Sequence, residues 1–316
     1  MKSIRALFAA AAIGCFALTI AAALPATAAA QAPSDRQVAL YRDLMEANGV
    51  AHNARQAVAA MRAAVAQSAV ERKGSPLTSA EQTRLDAVTA SVFSAELENV
   101  LNDIARTQST GFTEAEISEL ITVNQSPAAV RYNAARFEGA DTEGAEIQNY
   151  MVDAVVASIN TYNAGAAPTP AAANPSDADT ALIQRIALAR SLLEADGTAE
   201  TAISFVRKNH RILIAREINK HIEVNTLPAE DRARLTTIIN AELATLTDRI
   251  LQLSAVRYAQ TFSRAELAGL IAAYDIEAQR KLTAMRISDD GSLDRRAEAA
   301  LQAATQRALT TFESGS

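Results

Sequence analysis

Apolar residues recur at helical spacing through most of the chain. In the clearest stretch they are separated by one to four residues, so that one broad apolar face runs along a helix. That stretch contains Leu235, Ile238, Ile239, Leu243, Leu246, Ile250 and Leu253. Ala, Leu, Glu, Arg and Gln dominate such segments, and no alternating run is bounded by turn residues. The pattern predicts an all-α protein.

The helical pattern forms two series of five helices. The first series is predicted at residues 36–47, 51–73, 79–108, 114–137 and 143–163, and the second at residues 177–195, 199–224, 229–260, 264–285 and 292–313. Between them the Ala- and Pro-rich stretch "NAGAAPTPAAANPSD" lacks apolar periodicity, which indicates a linker at residues 164–176. We therefore expect two tandem helical-bundle domains, residues 36–163 and residues 177–313.

The two series also align with each other in sequence. "LYRDLMEANGVA", which begins at Leu40, matches "LARSLLEADGTA", which begins at Leu188 with an offset of 148 residues. Farther along, Phe112 matches Phe262 with an offset of 150, so the second series has gained two residues in between. Because solenoid repeats span only about 20–50 residues, a repeat of this length predicts a duplicated domain. We call residues 36–163 repeat 1 and residues 177–313 repeat 2.

The segments "FTEAEI" and "FSRAEL" of the two repeats have the pattern of a helix start. In each, a phenylalanine precedes a Ser or Thr cap, a glutamate follows three residues later, and an apolar residue comes next, as in a capping box with a hydrophobic staple. The residues are Phe112, Thr113, Glu116 and Ile117 in repeat 1 and Phe262, Ser263, Glu266 and Leu267 in repeat 2. Gly49 and Gly197 each separate two helices, where a left-handed residue ends the first one. These shared residues need no active site to explain them.

These motifs resemble a family of secreted, all-helical bacterial proteins, domain of unknown function 2059. Its pattern begins with a leucine-rich helix hairpin and a glycine, and ends with an aromatic residue, a Ser/Thr cap, Glu-Leu and then an aromatic residue followed by Ser-Pro-x-Gly-x-Lys. The closing segment reads Ser126, Pro127, Ala129 and Arg131 in repeat 1, and Tyr274, Glu277, Gln279 and Lys281 in repeat 2. The resemblance covers both repeats and implies a helical envelope protein without an established reaction. In repeat 2, Glu277 and Gln279 replace the proline and the glycine of the family pattern, so we expect one uninterrupted helix through this segment.

The N-terminus has the pattern of a secretory signal peptide. Lys2 and Arg5 precede an uncharged run that ends at Pro25, and an alanine-rich segment with A-x-A triplets follows. We expect cleavage after Ala30 and export to the periplasm. Two alternatives are an uncleaved membrane anchor and lipidation at Cys15, but the run is mostly alanine, and apolar sequence continues beyond the cysteine.

Cleavage would change both the charge and the chemistry of the chain. Removal of residues 1–30 leaves 28 basic and 36 acidic residues, a formal charge of −8, and removes the one cysteine. Neither disulfides nor thiolate chemistry would then be available. The acidic balance, the absence of Trp and an aromatic content of 4% all argue against nucleic-acid binding.

Candidate catalytic, cofactor-binding and metal-binding residues are not found in the sequence. His210 and His221 are eleven residues apart, which predicts one helical face but a separation of about 16 Å, too long for a shared metal ion. Glu217 and His221 have i, i+4 spacing, but no second ligand pair accompanies them. No G-x-S-x-G elbow or glycine-rich phosphate loop is present. We expect no bound cofactor.

One basic cluster stands out in this acidic protein. It contains Arg207, Lys208, Arg211, Arg216 and Lys220. It could contact anionic lipid headgroups or acidic groups of an unidentified protein or envelope component, or it could form a charged rim around a buried run, Ile212–Ile214. The sequence favours a non-enzymatic periplasmic protein that acts through helical surfaces in interaction, assembly or envelope maintenance. The alternative is a periplasmic hydrolase or metal-dependent enzyme whose site assembles only in the folded chain.

Overall fold

The computed structural model describes residues 32–138, 140–167, 180–288 and 292–314, and every regular element in these ranges is helical. The all-α prediction is therefore confirmed for the described part of the chain. The predicted signal peptide, residues 1–30, and residues 168–176 of the predicted linker lie outside it.

Helices α1 to α6 cover repeat 1. They are α1 (Asp35–Ala47), α2 (Val50–Lys73), α3 (Ser79–Ser109), α4 (Glu114–Asn124), α5 (Pro127–Glu138) and α6 (Ala140–Asn163). Repeat 2 contains α7 (Thr180–Ala195), α8 (Thr198–Phe205), a π-helical segment (Val206–His210), α9 (Arg211–Ile218), a 3₁₀ turn (Val224–Thr226), α10 (Ala229–Thr261), α11 (Arg264–Tyr274), α12 (Glu277–Ser288) and α13 (Ser292–Ser314).

The predicted helix starts at α4 and α11 are confirmed as capping boxes. The backbone N–H of Glu116 donates to the Thr113 hydroxyl at 3.2 Å, and the Thr113 N–H donates to the Glu116 carboxylate at 2.6 Å. The reciprocal distances at Ser263 and Glu266 are 3.3 Å and 2.8 Å. The apolar residues on either side, Phe112, Ile117, Phe262 and Leu267, are all buried.

Removal of one cap hydroxyl is expected to have a modest effect. Ser263→Ala leaves the N–H of Glu266 without its side-chain acceptor, so we expect the free energy of unfolding to fall by about 1 kcal/mol. Urea denaturation of the variant and of Thr261→Ala measures the difference, because the exposed Thr261 hydroxyl only donates back to the carbonyl of Arg257 within its own helix. Equal losses in the two variants would contradict the capping role.

The fourth predicted helix of each repeat is divided in two, so the single helices predicted at 114–137 and 264–285 are wrong. In repeat 1, Pro127 begins α5, and the N–H of Ala129 donates to the Ser126 hydroxyl at 3.3 Å. In repeat 2 we expected no interruption, but Asp275 has a ψ of 59° and ends α11. No proline causes this break; the Asp275 carboxylate instead pairs with Arg280 of α12 at 2.6 Å.

The described helices form two compact bundles. Bundle 1 contains the described residues within 1–137 and 284–316, and bundle 2 contains those within 138–283. In bundle 1, α13 packs on α3 and α2, while α1 packs on α2, α3 and α4. In bundle 2, α6 packs on α10 and α9, while α7 packs on α8, α10 and α11. The matching helices of the repeats thus make matching contacts.

The compact bundles differ in their bounds from the two sequence repeats. The last helix of repeat 1, α6, belongs to bundle 2, and the last helix of repeat 2, α13, belongs to bundle 1. The chain passes from bundle 1 to bundle 2 after Phe137 and returns after Thr283. The predicted linker at 164–176 therefore joins two helices of bundle 2, α6 and α7, because each terminal helix packs on the other repeat.

Candidate functional site

The second helix of repeat 2 contains a π-helical turn that its counterpart in repeat 1 lacks. Before the turn, buried Val206 matches buried Val58 with an offset of 148, whereas beyond it buried Ile214 matches buried Val65 with an offset of 149. A π turn takes up one extra residue within a helix, and such turns often occur at functional sites. It therefore accounts for one of the two residues that repeat 2 has gained.

The π turn places His210 in the core of bundle 2. Its side chain is 6% exposed, and its ring meets that of Phe205 edge to face at 5.3 Å. Among the described residues, nothing forms a hydrogen bond with the Nδ1 atom of His210. Burial lowers the pKa of His210 from 6.5 to about 4, because the charged imidazolium would lose its hydration. The ring is therefore neutral at pH 7.

His221 lies apart from His210, so the predicted common face is wrong. Helix α9 ends at Ile218, and His221 is exposed in the turn that follows. The predicted helix at 199–224 is likewise too long, and the amide oxygen of Asn219 accepts a bond from the N–H of Val224 at 3.3 Å within this turn. No group of three His, Cys, Asp or Glu side chains with metal-binding geometry occurs among the described residues.

The outward face of the same helical segment carries the predicted basic cluster. Arg207, Arg211, Arg216 and Lys220 are exposed, and the side chain of Lys208 lies outside the described residues. On the inner side, His210, Ile214 and Ile218 follow one another at i, i+4 spacing and are all buried. The segment is thus amphipathic, with its positive charges directed to solvent.

One interpretation of the basic cluster places it around a buried run, Ile212–Ile214, but Ile212 is not buried. Its side chain is 68% exposed, whereas Ile214 is fully buried. It occupies the outer face because Arg211, Ile212, Ala215, Arg216 and Asn219 share the i, i+3 and i, i+4 spacing of one helical surface. The sequence does not reveal this exposure, since the apolar run alone does not fix where the helix rotates at the π turn.

One acidic residue partly neutralises the basic face. The carboxylate of Glu217 contacts Lys220 at 2.5 Å and Arg216 at 3.8 Å. The hydrogen bond from Lys220 holds the pKa of Glu217 below its ordinary value, so this carboxylate remains charged near neutral pH. No acidic side chain among the described residues forms an ion pair with Arg207 or Arg211. The face therefore keeps a net positive charge.

Repeat 1 has no equivalent basic face. At the offset of 149 residues, Ile212 matches Ala63, Arg216 matches Gln67 and Lys220 matches Glu71. Arg211 matches Arg62, which instead bonds the Thr89 hydroxyl and the Asp86 carbonyl across to α3. The basic face is thus specific to repeat 2.

A shallow groove of about 580 Å³ lies between α1 and α4 of bundle 1. Its polar lining includes Asp43 and Glu46. A hydrogen bond from Arg55 holds the pKa of Glu46 below its ordinary value, which suits a structural ion pair better than proton transfer at neutral pH. Neither histidine of repeat 2 lines this groove.

The comparisons with known proteins give no relative: no family model, no curated protein and no solved structure matches this chain. Within the described ranges, no helix combines the length and the apolar character needed to cross a bilayer. The geometry of the basic face is therefore the observation that bears most directly on function.

Proposed function

We propose that this chain is an exported, non-enzymatic helical protein that binds an anionic phospholipid surface of the cell envelope through the basic face of repeat 2. The observation that carries the proposal is Ile212, 68% exposed between arginines on a helix of an otherwise acidic protein. The N-terminal signal pattern supports export, and the end-to-end sequence repeat supports an origin by duplication. The motif resemblance supports a place among secreted envelope proteins.

The chemistry of the face fits a membrane surface. Helices that lie on bilayers combine a basic face with apolar side chains that enter the headgroup region, and Ile212 is the large apolar side chain that this face exposes. Each Lys or Arg near an anionic surface contributes about 1 kcal/mol of attraction, and the described part of the face carries four basic residues against Glu217. Since the whole chain has a net charge of −6, a local positive face is needed for any such attraction.

Sedimentation with lipid vesicles tests the proposal. The mature chain should bind vesicles that contain phosphatidylglycerol, should bind pure phosphatidylcholine vesicles far less, and should lose binding as salt increases, because screening shortens the range of the attraction. The double variant Arg207→Gln/Arg211→Gln should weaken binding by about tenfold or more, since two cationic contacts are lost. Ile212→Ser should also weaken it.

A matched control separates the face from net charge. Arg264→Gln removes an exposed arginine of α11 outside the face and should leave vesicle binding nearly unchanged. Equal binding to neutral and anionic vesicles, or equal losses in Arg264→Gln and Arg211→Gln, would reject the membrane contact. Capture of an acidic protein at the same face without vesicle binding would also reject it.

A further inference from the structure

The terminal helices α6 and α13 each pack on the long helix of the other repeat, α10 and α3 respectively. We call α6 and α13 the exchanged helices and these two interfaces the seams. Both exchanged helices are held at their C-terminal ends by the same kind of contact. In bundle 1, the Arg84 guanidinium of α3 lies over the ring of Phe312 of α13 at 4.7 Å. In bundle 2, the Arg234 guanidinium of α10 lies over the ring of Tyr162 of α6 at 4.6 Å. Arg84 and Arg234, like Tyr162 and Phe312, differ by 150 residues. The two helices thus sit in equivalent positions, and the residues that face each other can be compared one by one.

The ion pairs along the two seams have opposite polarity. In bundle 1 the terminal helix α13 supplies the cations that face α3, since Arg296 lies 3.5 Å from Asp103 and Arg307 pairs with Glu96. Toward α2 it supplies an anion, because Glu313 lies 2.9 Å from Arg72. In bundle 2 the terminal helix α6 supplies the anions. These pairs are Asp153 with Arg249 at 3.1 Å and Glu143 with Arg257 at 2.6 Å.

Without the exchange, one charged residue of each terminal helix, Asp153 on α6 and Arg296 on α13, would meet its own charge sign, whereas Arg307 would face Leu246, which has both Glu242 and Arg249 as helical neighbours. At the offset of 150 residues, Asp153 on α6 would face Asn99 of α3, which lies three and four residues from Glu96 and Asp103. Likewise, Arg296 on α13 would face Leu253 of α10, which lies four residues from both Arg249 and Arg257. Side chains three or four residues apart on a helix are neighbours, and like charges there are destabilising.

We propose that this charge pattern makes each repeat reject its own terminal helix and accept that of the other repeat, so that the two repeats fold as one interlocked pair. Each long helix therefore recognises the charge at the facing positions of the terminal helix, which is cationic against α3 and anionic against α10. Repulsion in the wrong pairing is a recognised source of specificity between helices. This inference is independent of membrane binding.

A crosslinking experiment tests the exchange in the intact fold. The chain from Gln31 onward contains no cysteine, so pairs can be introduced freely, together with a protease site within residues 170–175. After cleavage of that site, a short bismaleimide should join the two fragments in Asp103→Cys/Arg296→Cys. The control Asp103→Cys/Glu146→Cys replaces the α6 residue equivalent to Arg296; both cysteines lie in the N-terminal fragment, and the bismaleimide should not link them to each other, as mass spectrometry of that fragment would show. In both proteins the cleaved fragments should co-elute.

Charge reversal tests the selection itself. The quadruple variant Glu143→Lys/Asp153→Lys/Arg296→Glu/Arg307→Glu reverses the terminal helices and should favour unexchanged packing, so that its fragments separate after cleavage. Because this variant risks poor folding, Arg307→Glu is compared with the compensated Arg307→Glu/Glu96→Arg, monitored by circular dichroism. The single reversal should reduce joining at the 103–296 pair, and the compensated variant should restore it.

Three results would overturn the proposal. The first is separation of the cleaved parent fragments without denaturant, and the second is efficient crosslinking within repeat 1 by the 103–146 pair. The third is an equal yield of joined fragments in Arg307→Glu and its compensated variant, which would leave the exchange standing but remove charge as its cause.

Discussion

Gly49→Ala should lower the free energy of unfolding by about 2–5 kcal/mol. Gly49 has a φ of 82°, a left-handed conformation that costs alanine roughly 1–2 kcal/mol. In addition, an added Cβ atom would overlap the ring of Phe137 in bundle 1, and overpacking of this kind costs about 1–3 kcal/mol. Denaturant unfolding of the purified variant, monitored by far-ultraviolet circular dichroism, measures the loss.

Gly74 provides the matched control at the other end of α2. It has a φ of 72°, but an added Cβ atom would meet nothing within 4 Å. Gly74→Ala should therefore cost only the backbone term, about 1–2 kcal/mol. Combining Gly49→Ala with Phe137→Leu should recover part of the steric loss, as a double-mutant cycle would show. Equal losses in Gly49→Ala and Gly74→Ala would contradict a contact with Phe137.

Gly197 extends the same reasoning to bundle 2. Its φ is 78°, and an added Cβ atom would overlap the Thr283 side chain. Both glycines thus satisfy two requirements, a left-handed turn and the close approach of another segment. The sequence indicated the first requirement and gave no sign of the second, since Phe137 and Thr283 are far away along the chain.

Buried His210 should make the stability of the protein depend on pH. In the unfolded chain its imidazole takes up a proton near pH 6.5, whereas burial lowers the pKa in the folded chain to about 4. Between these values the unfolded state binds the additional proton, so stability is fully present above pH 6.5 and falls as the pH drops to about 4. The loss should reach about 3 kcal/mol, a large part of the 5–15 kcal/mol that is typical of folded domains.

His210→Met isolates this contribution. Methionine has a similar volume and no titratable group, and it also removes the Nδ1 atom that lacks a hydrogen bond among the described residues. Its stability advantage over the parent should widen by about 3 kcal/mol between pH 7 and pH 4, while the carboxylates common to both proteins cancel. The exposed His221→Gln serves as the control. A constant difference between parent and His210→Met across this range would exclude the proposed effect.

The local features of this fold were predictable because each rests on a short segment. The caps at Thr113 and Ser263 depend on residues three positions apart, and the left-handed turns depend on a single glycine. The π turn was only partly predictable from the sequence. Alignment of the repeats revealed two extra residues between Gly197 and Phe262, but only the burial of Val206 and Ile214 located one of them.

The basic face was predicted in part for the same reason. The positive charges of Arg207, Arg211, Arg216 and Lys220 are visible in the sequence, and their clustering along one helix follows from their spacing. The exposure of Ile212 and the burial of His210 were not visible, because both depend on how the helix rotates across the π turn.

By itself, the sequence determined the helical class, the two repeats and the helix starts, since periodicity and capping act within a few residues of the chain. Only the tertiary structure decided which repeat receives each terminal helix. An apolar helix face specifies burial but not its partner, and the partner depends on charges such as Asp103 and Arg296, which are nearly 200 residues apart in sequence and meet only after folding.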